Sequence, residues 1–312
     1  MGSDATVSKV ATWPQAPFMK VLIVGATGFV GRNLAAHLSA EGHEVHGWGR
    51  TWPAPGPGAL DRTVDLLASE PLPAPPAGLN AVLVLAAESR PALVAQGSGA
   101  ANNLRMVQRL LGHLAAHSPG SRVLVTSSGH VYGPGTAPRR ESDPTTNQHP
   151  YALSKLQIEA CALEHARELE IVLLRPFNQI GPGMAPGLLI PDLLERLRTS
   201  DGPLAMRGQD AARDFLDIRD ACRAYSVLLS ADLTSGSLFN LCTGRATRVS
   251  ELIHALLGVL GHQREVTFAQ PGFSTLVGDP SAITTATGWR PNLGLEATAS
   301  FLAEWIPDSA TG

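Results

Sequence analysis

The segment Gly25-Ala26-Thr27-Gly28-Phe29-Val30-Gly31 constrains the fold of this chain more than any other feature. It follows an apolar run at residues 21–24, which has the length and composition of a buried strand. Apolar residues at helical spacing, Leu34, Ala35 and Leu38, come directly after it. The pattern therefore predicts a strand, a glycine-rich turn and a helix, with the glycines at the carboxyl end of the strand.

Each glycine of this turn has a separate physical use. Gly25 permits a tight turn, Gly28 lets the backbone approach a pyrophosphate, and Gly31 permits close packing of the helix. The helix N-terminus would then face the anion, because its free N–H groups and its dipole favour negative charge. The spacing is GxxGxxG rather than GxGxxG, and a glycine-rich turn without a ligand is the alternative. We expect dinucleotide binding, with contacts from Gly25, Thr27, Gly28, Phe29, Val30 and Gly31.

Strands and helices alternate over the first half of the chain. Such alternation predicts right-handed crossovers and a Rossmann-type, doubly wound parallel sheet of the α/β class. We assign residues 19–175 to this nucleotide-binding Rossmann domain. The further strand candidates are 44–48, a short run ending at Asp65, 81–85, 122–126 and 171–174, and the helical patterns span about 100–117 and 151–169.

The alternation loosens after Arg175. A Gly/Pro loop at 181–187, a helical pattern at 189–198 and mixed short elements follow. We assign residues 176–312 mainly to a smaller mixed α/β substrate-binding lobe, with segments that return to the Rossmann domain. Residues 1–18 are polar and irregular and lack the layout of a signal peptide, so we expect a disordered N-terminal extension.

Composition excludes several classes of function. The net charge is -3, and no basic tract gives the electrostatic footprint of a nucleic-acid-binding protein. No apolar stretch has the length of a membrane span, so we expect a soluble protein with a small-molecule ligand. Cys161, Cys222 and Cys242 match no metal or disulfide spacing, which predicts no metal site and fits a reducing cytoplasm.

The end of the second strand bears on which dinucleotide binds. An acidic side chain at this position binds a ribose diol, whereas a cation accepts a 2′-phosphate. The sequence here is Trp48-Gly49-Arg50, without a carboxylate. NADP(H) is therefore favoured over NAD(H), with Arg50 at the 2′-phosphate. The alternative is an Arg50 that is only a solvated loop cation.

Tyr151 and Lys155 stand four residues apart on a predicted helix and therefore share a face. A nearby ammonium lowers the pKa of a phenol, which can then give a proton to a carbonyl oxygen or take one from an alcohol. Only Lys9, Lys20 and Lys155 are lysines among the 24 basic residues, so a lysine at this place invites a chemical explanation. Ser128, where the fifth strand ends, offers a hydroxyl to the reacting oxygen, although Ser/Gly runs are also ordinary loop sequences.

Four motifs, GATGFVG, SSGHVYG, YALSK and RPFNQIGPG, resemble in order and spacing those of extended short-chain dehydrogenases/reductases of the NAD-dependent epimerase/dehydratase superfamily. The resemblance covers nearly all of the chain from Lys20 onward. The segments at 175–183, 212–225 and 276–289 are most similar to GDP-4-keto-6-deoxymannose reductases and related 4-ketoreductases of deoxysugar nucleotides. The activity this implies is NADPH-dependent reduction of the C4 ketone of a nucleotide-linked 4-keto-6-deoxyhexose, by a cytoplasmic homodimer.

The resemblance also implies roles for single residues. Ser128 orients the reacting oxygen, Tyr151 is the acid, and Lys155 binds the nicotinamide ribose. Asn103 matches an asparagine in the helix before the fifth strand, either as a ligand contact or as a structural hydrogen bond. The implied cofactor contacts further include Asp65 and Leu66 near the adenine, Ala86, Ala87 and Pro176, and the implied substrate contacts are Ser128, His130, Asn178 and Arg213, with Arg213 at the diphosphate.

Two positions depart from the family pattern. Dehydratases of this superfamily carry an Asp-Glu pair after the catalytic Thr, whereas this chain has Gly129-His130, which disfavours dehydration. His130 itself either touches the substrate or only packs. Relatives supply a phosphate-binding arginine where residues 269–274 have none. Three alternatives therefore stay open: an epimerase that retains its cofactor, a ketoreductase for a polyketide-type substrate without a nucleotide, and a non-catalytic NADP-binding regulator.

Overall fold

The computed structural model describes residues 17–50, 61–88, 90–95, 97–272 and 274–305, so residues 1–16 of the predicted extension lie outside the described residues. The strands are β1 (Lys20–Val24), β2 (Glu44–Gly49), β3 (Arg62–Thr63), β4 (Ala81–Val84), β5 (Arg122–Thr126), β6 (Glu170–Pro176), β7 (Asn178–Ile180), β8 (Leu204–Met206), β9 (Ala212–Arg213), β10 (Phe215–Asp217), β11 (Ser237–Leu241), β12 (Thr247–Arg248), β13 (Val266–Phe268) and β14 (Thr275–Leu276). The helices are α1 (Phe29–Ala40), α2 (Pro91–Val94), α3 (Gly99–His117), the 3₁₀ helix η1 (Gly129–Tyr132), α4 (Pro150–Glu164), α5 (Leu189–Thr199), α6 (Ile218–Ser230), α7 (Val249–Val259), α8 (Ser281–Thr287) and α9 (Leu295–Ala303).

The main sheet is parallel throughout and has the predicted doubly wound topology. Within the described ranges its strand order is β3-β2-β1-β4-β5-β6-β11. The order reverses between β1 and β4, and in such sheets ligands bind in the crevice outside the carboxyl ends of the strands at that point. The predicted α/β class and Rossmann-type sheet are confirmed. The glycine-rich turn lies directly at the reversal, because it follows β1.

Helices cover both faces of this sheet. On one face Leu34 and Leu38 of α1 pack with Tyr225 of α6, and on the other Leu110 of α3 packs with Ile158 of α4. All five side chains are buried, as the helical spacing of apolar residues requires. β1 and β4 are apolar at almost every position, and β5 at its three middle positions, because both faces of these strands are covered.

A third apolar core lies outside the main sheet. It joins Leu193 and Leu197 of α5, Leu204 of β8, Leu256 of α7 and Leu302 of α9. Because these elements all follow Arg175 in the chain, the core is compatible with the predicted lobe, and the division at residues 175 and 176 stays a prediction.

Two predicted boundaries were wrong. α4 ends at Glu164 rather than near Leu169, because the chain tightens into turns in which the N–H groups of His165 and Ala166 donate to carbonyls only three residues back. The strand expected to end at Asp65 is limited to the two exposed residues of β3. Asp65, a predicted cofactor contact, therefore lies in the loop after β3 rather than at the end of a strand.

Candidate active site

The glycine-rich turn brings the ends of β1 and β4 together. Gly25 has a φ of +98°, in the left-handed region that favours glycine. A Cβ atom on Gly25 would lie 2.8 Å from the backbone nitrogen of Ala86, which follows β4. A Cβ atom on Gly31 would lie 2.2 Å from the carbonyl oxygen of Gly25, so α1 can pack on the turn only without a side chain there. The free N–H groups of the first turn of α1 therefore lie at this edge of the sheet.

A cavity of about 590 Å³ opens beside this turn. Asp65 does not line it, and its carboxylate instead accepts a hydrogen bond of 2.9 Å from the backbone N–H of Leu67. The N–H of Gly28 likewise bonds to the protein itself, because it donates to the carbonyl of Gly25 at 3.0 Å. The turn, the helix N-terminus and the cavity together fit the adenosine and pyrophosphate portion of a dinucleotide. Six predicted cofactor contacts line the cavity, namely Gly25, Thr27, Arg50, Leu66, Ala86 and Ala87.

Arg50 lines this cavity at the end of β2. No carboxylate of the described residues forms an ion pair with it. Glu88 lines the same cavity, but its carboxylate is bound by the guanidinium of Arg90 at 2.9 Å. That hydrogen bond, with a smaller contribution from the charge of Arg50, holds the pKa of the Glu88 carboxyl below its usual range. The guanidinium of Arg50 is therefore available to an anionic group of a ligand.

Asn103 holds the loop that follows β4. It is fully buried, and its Oδ1 accepts a hydrogen bond of 2.8 Å from the backbone N–H of Glu88. Its Nδ2 donates to the carbonyl of the same residue at 3.1 Å. Of the two roles that the sequence left open for Asn103, the contacts favour the structural one, although the residue also reaches the cavity wall.

A second and larger cavity, of about 1200 Å³, contains the predicted catalytic residues. It adjoins the first cavity at Leu85 and Ala87, which line both. A dinucleotide that occupies both cavities would bind at the glycine-rich turn with one end and place its reactive end near Tyr151. The predicted residues that line this second cavity are Phe29, Val30, Gly31, Ser128, His130, Tyr151, Lys155, Pro176, Asn178 and Arg213.

Tyr151 stands in the first turn of α4, where the Nδ1 of His149 accepts a hydrogen bond from its backbone N–H at 3.2 Å. Burial raises the pKa of the Tyr151 phenol, and a side-chain hydrogen bond with Ser128 partly opposes this. We expected Lys155 to lower the pKa of this phenol. Instead, burial is the larger influence on this pKa. The Nζ of Lys155 lies over the phenol ring, 5.8 Å from its centroid. Tyr151 is therefore held in its protonated form, the form that a proton donor needs.

Lys155 is buried one turn further along the same helix. Its Nζ donates a hydrogen bond of 3.3 Å to the backbone carbonyl of Thr126, the last residue of β5. Burial lowers the pKa of this ammonium to about 8, while the negative charge of Glu159 raises it. Lys155 therefore lies between the end of β5 and the phenol ring of Tyr151, with a pKa of about 8.

His130 and Asn178 lie beside the phenol. The His130 ring is 6.0 Å from the Tyr151 ring, edge to face, and its side chain hydrogen-bonds Asn178. Burial first, and then the charges of Arg213 and His149, lower the pKa of His130, so the imidazole is neutral at neutral pH. A neutral imidazole here can donate or accept a hydrogen bond but does not repel Arg213.

Arg213 is half-buried and faces the same cavity. Its Nη1 donates to the carbonyls of Ala212 and Ser274, and its Nη2 donates to the Ser274 hydroxyl. Asp214 and Asp217 are close to Arg213 in sequence, and an ion pair with either would leave its guanidinium unavailable to a ligand, but neither pair forms. Asp214 accepts hydrogen bonds from residues Thr243, Gly244 and Gly278, whereas Asp217 pairs with Arg219 at 2.7 Å. The cation of Arg213 has no carboxylate partner among the described residues.

A buried polar network beside α4 was not predicted from the sequence. It is formed by Ser127, Tyr132, Glu159, Arg175 and Asn240. The available signal was the spacing of Lys155 and Glu159, which stand four residues apart on α4. Other residues that line the larger cavity were not predicted either, among them Arg196, Arg207 and Phe268. No motif pointed to these, because they come from separate elements.

Two further features concern metals and membranes. No cluster of His, Cys, Asp or Glu within residues 17–305, apart from the positions not described, has the composition of a metal site. No helix of the same residues is long and apolar enough to cross a membrane.

The sequence profile of the NAD dependent epimerase/dehydratase family matches residues 21–242. The chain belongs to this family. The matched span includes the glycine-rich turn, the Ser128, Tyr151 and Lys155 set and Arg213. Members of the family use a nicotinamide cofactor, so this epimerase/dehydratase-family chain is a nicotinamide-dependent oxidoreductase. The superfamily resemblance of the motifs is thereby confirmed.

Individual members of the family are similar over almost the whole chain. The GDP-6-deoxy-D-mannose reductase of Pseudomonas aeruginosa is 28% identical over 92% of this chain and 97% of its own length. A dTDP-6-deoxy-L-talose 4-dehydrogenase (NAD(P)(+)) from Kitasatospora kifunensis is 29% identical over 82% of this chain and 84% of its own. The solved structure of RMD from Pseudomonas aeruginosa complexed with NADPH has a TM-score of 0.79 and 26% identity, covering 94% of this chain and 99% of that chain.

Proposed function

We propose that this chain reduces the C4 ketone of a nucleotide-linked 4-keto-6-deoxyhexose with NADPH, in the biosynthesis of deoxysugars. One observation carries the proposal. Tyr151, Ser128 and Lys155 line a cavity whose wall also includes Arg213, a half-buried cation without a carboxylate partner among the described residues. A proton donor and an anion-binding group in one cavity suit a substrate with both a ketone and a diphosphate. The reductase and 4-dehydrogenase relatives support this substrate class.

Each residue around the ketone would have a separate role in the proton transfer. Bound nicotinamide supplies the hydride, and the protein supplies orientation and the proton. Tyr151, kept protonated by burial, gives its proton to the ketone oxygen as the alcohol forms. The Ser128 hydroxyl, already bonded to the phenol, orients that oxygen, and the charge of Lys155 stabilises the phenolate left behind.

At the other end of the substrate, Arg213 would bind the diphosphate. Its guanidinium is fixed by Ser274 and the carbonyl of Ala212, so little side-chain freedom is lost on binding. A guanidinium matches phosphate oxygens with two parallel hydrogen bonds. Arg196 and Arg207 line the same cavity and add positive charge along the path of a nucleotide.

NADP(H) rather than NAD(H) is proposed as the cofactor. Arg50 lies in the first cavity at the end of β2, and the carboxylate that would bind a ribose diol is missing from this position. The solved NADPH complex of a relative supports this preference. The nearby carboxylate of Glu88 would repel a 2′-phosphate, but Arg90 neutralises it.

The decisive experiment follows NADPH oxidation against a panel of 4-keto-6-deoxy sugar nucleotides. Turnover with stoichiometric alcohol formation supports the proposal, and Tyr151→Phe serves as the inactive control. An epimerase would convert the sugar without net NADPH oxidation and would purify with its cofactor bound. Reduction of small ketones but not of any sugar nucleotide would favour a ketoreductase for another substrate class.

We also propose that the chain has two lobes, in which residues 19–175 bind the cofactor and residues 176–312 mainly bind the substrate. We further propose that the protein is cytoplasmic and forms a homodimer. Leu153 and Leu163 of α4 are 39% and 45% exposed, which supports a subunit contact along this helix. Light scattering during gel filtration measures the mass in solution. A dimeric wild type and a monomeric Leu153→Glu, Leu163→Glu variant are the expected results.

A further inference from the structure

A chain of hydrogen bonds crosses the interior behind the catalytic helix. The Glu159 carboxylate accepts from the Nε and Nη2 of Arg175 at 2.8 and 2.7 Å, and it also accepts from the hydroxyl of Ser127. Arg175 donates onward to the Tyr132 hydroxyl at 2.9 Å, and that hydroxyl donates to Asn240 at 2.9 Å. All five side chains are buried. Burying an ion pair brings a large desolvation penalty, so such a pair is weak evidence for stability by itself.

The position of Glu159 relates this network to the reaction. Glu159 stands one helical turn after Lys155 and two turns after Tyr151 on α4, so the three share a face. Its partner Ser127 precedes Ser128 in the chain. The Glu159 carboxylate is thereby connected to α4, which carries Tyr151 and Lys155, and through Ser127 to the segment that carries Ser128.

We propose that Glu159 is a positioning residue for Lys155, and that Arg175 and Ser127 hold its carboxylate where it keeps the buried ammonium charged. This inference rests on the proposed function only for its consequence in catalysis. The geometry behind it concerns the protein alone: a buried cation, a buried anion on the same helix face, and two donors that fix the anion.

Other charged groups do not supply the same effect. Burial acts against the charge of Lys155, and Glu159 is the group whose charge opposes it. Burial outweighs the charge of Glu159, so the pKa of the ammonium is about 8, below its ordinary value. Lys155 also contacts β5, whose charged residue is Arg122. Besides Arg175, the titratable or charged groups on the elements packed against α4 are Glu170 of β6, His130 and Tyr132 of η1, and Arg105, Arg109, His113 and His117 of α3.

The titration of Lys155 can be measured directly, because the only lysines of the chain are Lys9, Lys20 and Lys155. Protein labelled with ¹³C-lysine gives three ¹³Cε signals, which Lys9→Arg and Lys20→Arg variants assign. We expect Glu159→Gln to lower the titration midpoint of Lys155 by about one pH unit, as the loss of a nearby opposite charge does. The alkaline limb of kcat/KM should move to lower pH by the same interval.

A second variant guards against misfolding, because removing one partner of a buried ion pair is strongly destabilising. Glu159→Met combined with Arg175→Met removes both charges, a type of replacement that is often neutral for stability. It should also lower the Lys155 midpoint. The matched control is Glu170→Gln, which breaks an ion pair with Arg122. These two residues begin β6 and β5, at the ends of the strands away from Lys155. This control should leave the Lys155 midpoint unchanged, and the Lys20 signal should not respond to any of the three variants.

The titration separates failure of this inference from failure of the proposed function. An unchanged Lys155 midpoint in both the Glu159→Gln and the double variant would overturn the positioning role, whatever the enzyme reduces. A lowered midpoint in an enzyme that turns over no sugar nucleotide would uphold the positioning role and reject the proposed substrate.

Discussion

The Nζ of Lys155 lies 5.8 Å from the centroid of the Tyr151 ring and donates its hydrogen bond to the carbonyl of Thr126. The ammonium lies over the phenol ring at cation–π distance and is therefore close enough to stabilise a phenolate once it forms. Burial raises the pKa of the Tyr151 phenol and lowers the pKa of the Lys155 ammonium to about 8. Both groups are therefore mainly protonated at neutral pH, and Lys155 loses its proton first as the pH rises. This relationship determines how the reaction should depend on mutation and pH.

Tyr151→Phe should abolish reduction and leave NADPH affinity nearly intact, because only the proton donor is lost. General-acid catalysis is typically worth about 10²–10⁴-fold, so kcat should fall by that factor. Stopped-flow reduction and fluorescence titration with NADPH measure the two quantities separately. A variant that keeps most of its activity would exclude Tyr151 as the acid.

The pH dependence of kcat/KM should report the state of Lys155 in the free enzyme. Its pKa is lowered to about 8, so the group is charged below this pH and neutral above it. Because reduction needs the charged form, kcat/KM should be constant below the midpoint and fall about tenfold per pH unit above it. In Lys155→Arg, whose cation does not titrate in this range, any remaining activity should lack this limb. A limb that persists in the variant would belong to another group.

Arg50→Asp should shift the cofactor preference from NADPH toward NADH. The change replaces a partner of the 2′-phosphate by a carboxylate that suits a ribose diol and repels phosphate. Loss of a charged hydrogen bond is worth about 1.5–3 kcal/mol, so the ratio of the two Kd values should change by roughly 10- to 100-fold. Arg290→Asp, at an exposed position outside both cavities, makes the same change in net charge. An equal shift in both variants would mean that only net charge matters.

Gly31→Ala should destabilise the protein and weaken cofactor binding together. Its Cβ would meet the Gly25 carbonyl at 2.2 Å, and overpacking of this kind costs about 1–3 kcal/mol. Gly112→Ala is the matched control, because Gly112 lies in α3 with no atom within 4 Å of the added Cβ. There, the higher helix propensity of alanine should raise stability by up to about 1 kcal/mol. Urea unfolding with and without NADPH measures both effects, and a fully stable Gly31→Ala variant would contradict the packing argument.

Local patterns in the sequence were sufficient to predict much of the fold. Apolar runs bounded by turns placed β5 and nearly all of β1, and alternation with helices implied the parallel order that the sheet shows. The glycine spacing predicted the tight contacts of Gly25 and Gly31, since each requirement is local to one turn. The end of α4 was missed because Leu169 is buried and continues the apolar pattern after the helix has ended at Glu164.

Relationships between distant segments could not be predicted in the same way. Glu159 and Arg175 pair across 16 positions and two elements, and no spacing rule identifies such a pair. The direction of the Tyr151 pKa depends on burial, which the sequence does not give. The neighbours Arg213 and Asp214 suggest an ion pair, but successive side chains of extended chain point to opposite sides. The catalytic and binding roles of the site residues stay predictions until they are tested.

Arg213→Ala should raise KM for a sugar nucleotide and spare NADPH binding. Arg213 has no carboxylate partner among the described residues, so its removal leaves no buried anion unpaired and the fold should tolerate it. The lost hydrogen bonds to a diphosphate are worth about 1.5–3 kcal/mol, which corresponds to a KM increase of roughly 10- to 100-fold. The segment 269–274 offers no second arginine, so the loss should lie toward the upper end.

The discriminating comparison for Arg213 uses two substrates, a sugar nucleotide and a small ketone without phosphate, in the wild type, Arg213→Ala and the exposed control Arg290→Ala. A diphosphate contact predicts a large KM increase for the sugar nucleotide alone, and only in Arg213→Ala. Arg213 also lowers the pKa of His130 by its charge, so a general disturbance of the site would alter both substrates together. Equal effects on the two substrates, or none on either, would remove the diphosphate site and favour a ketoreductase whose substrate carries no nucleotide.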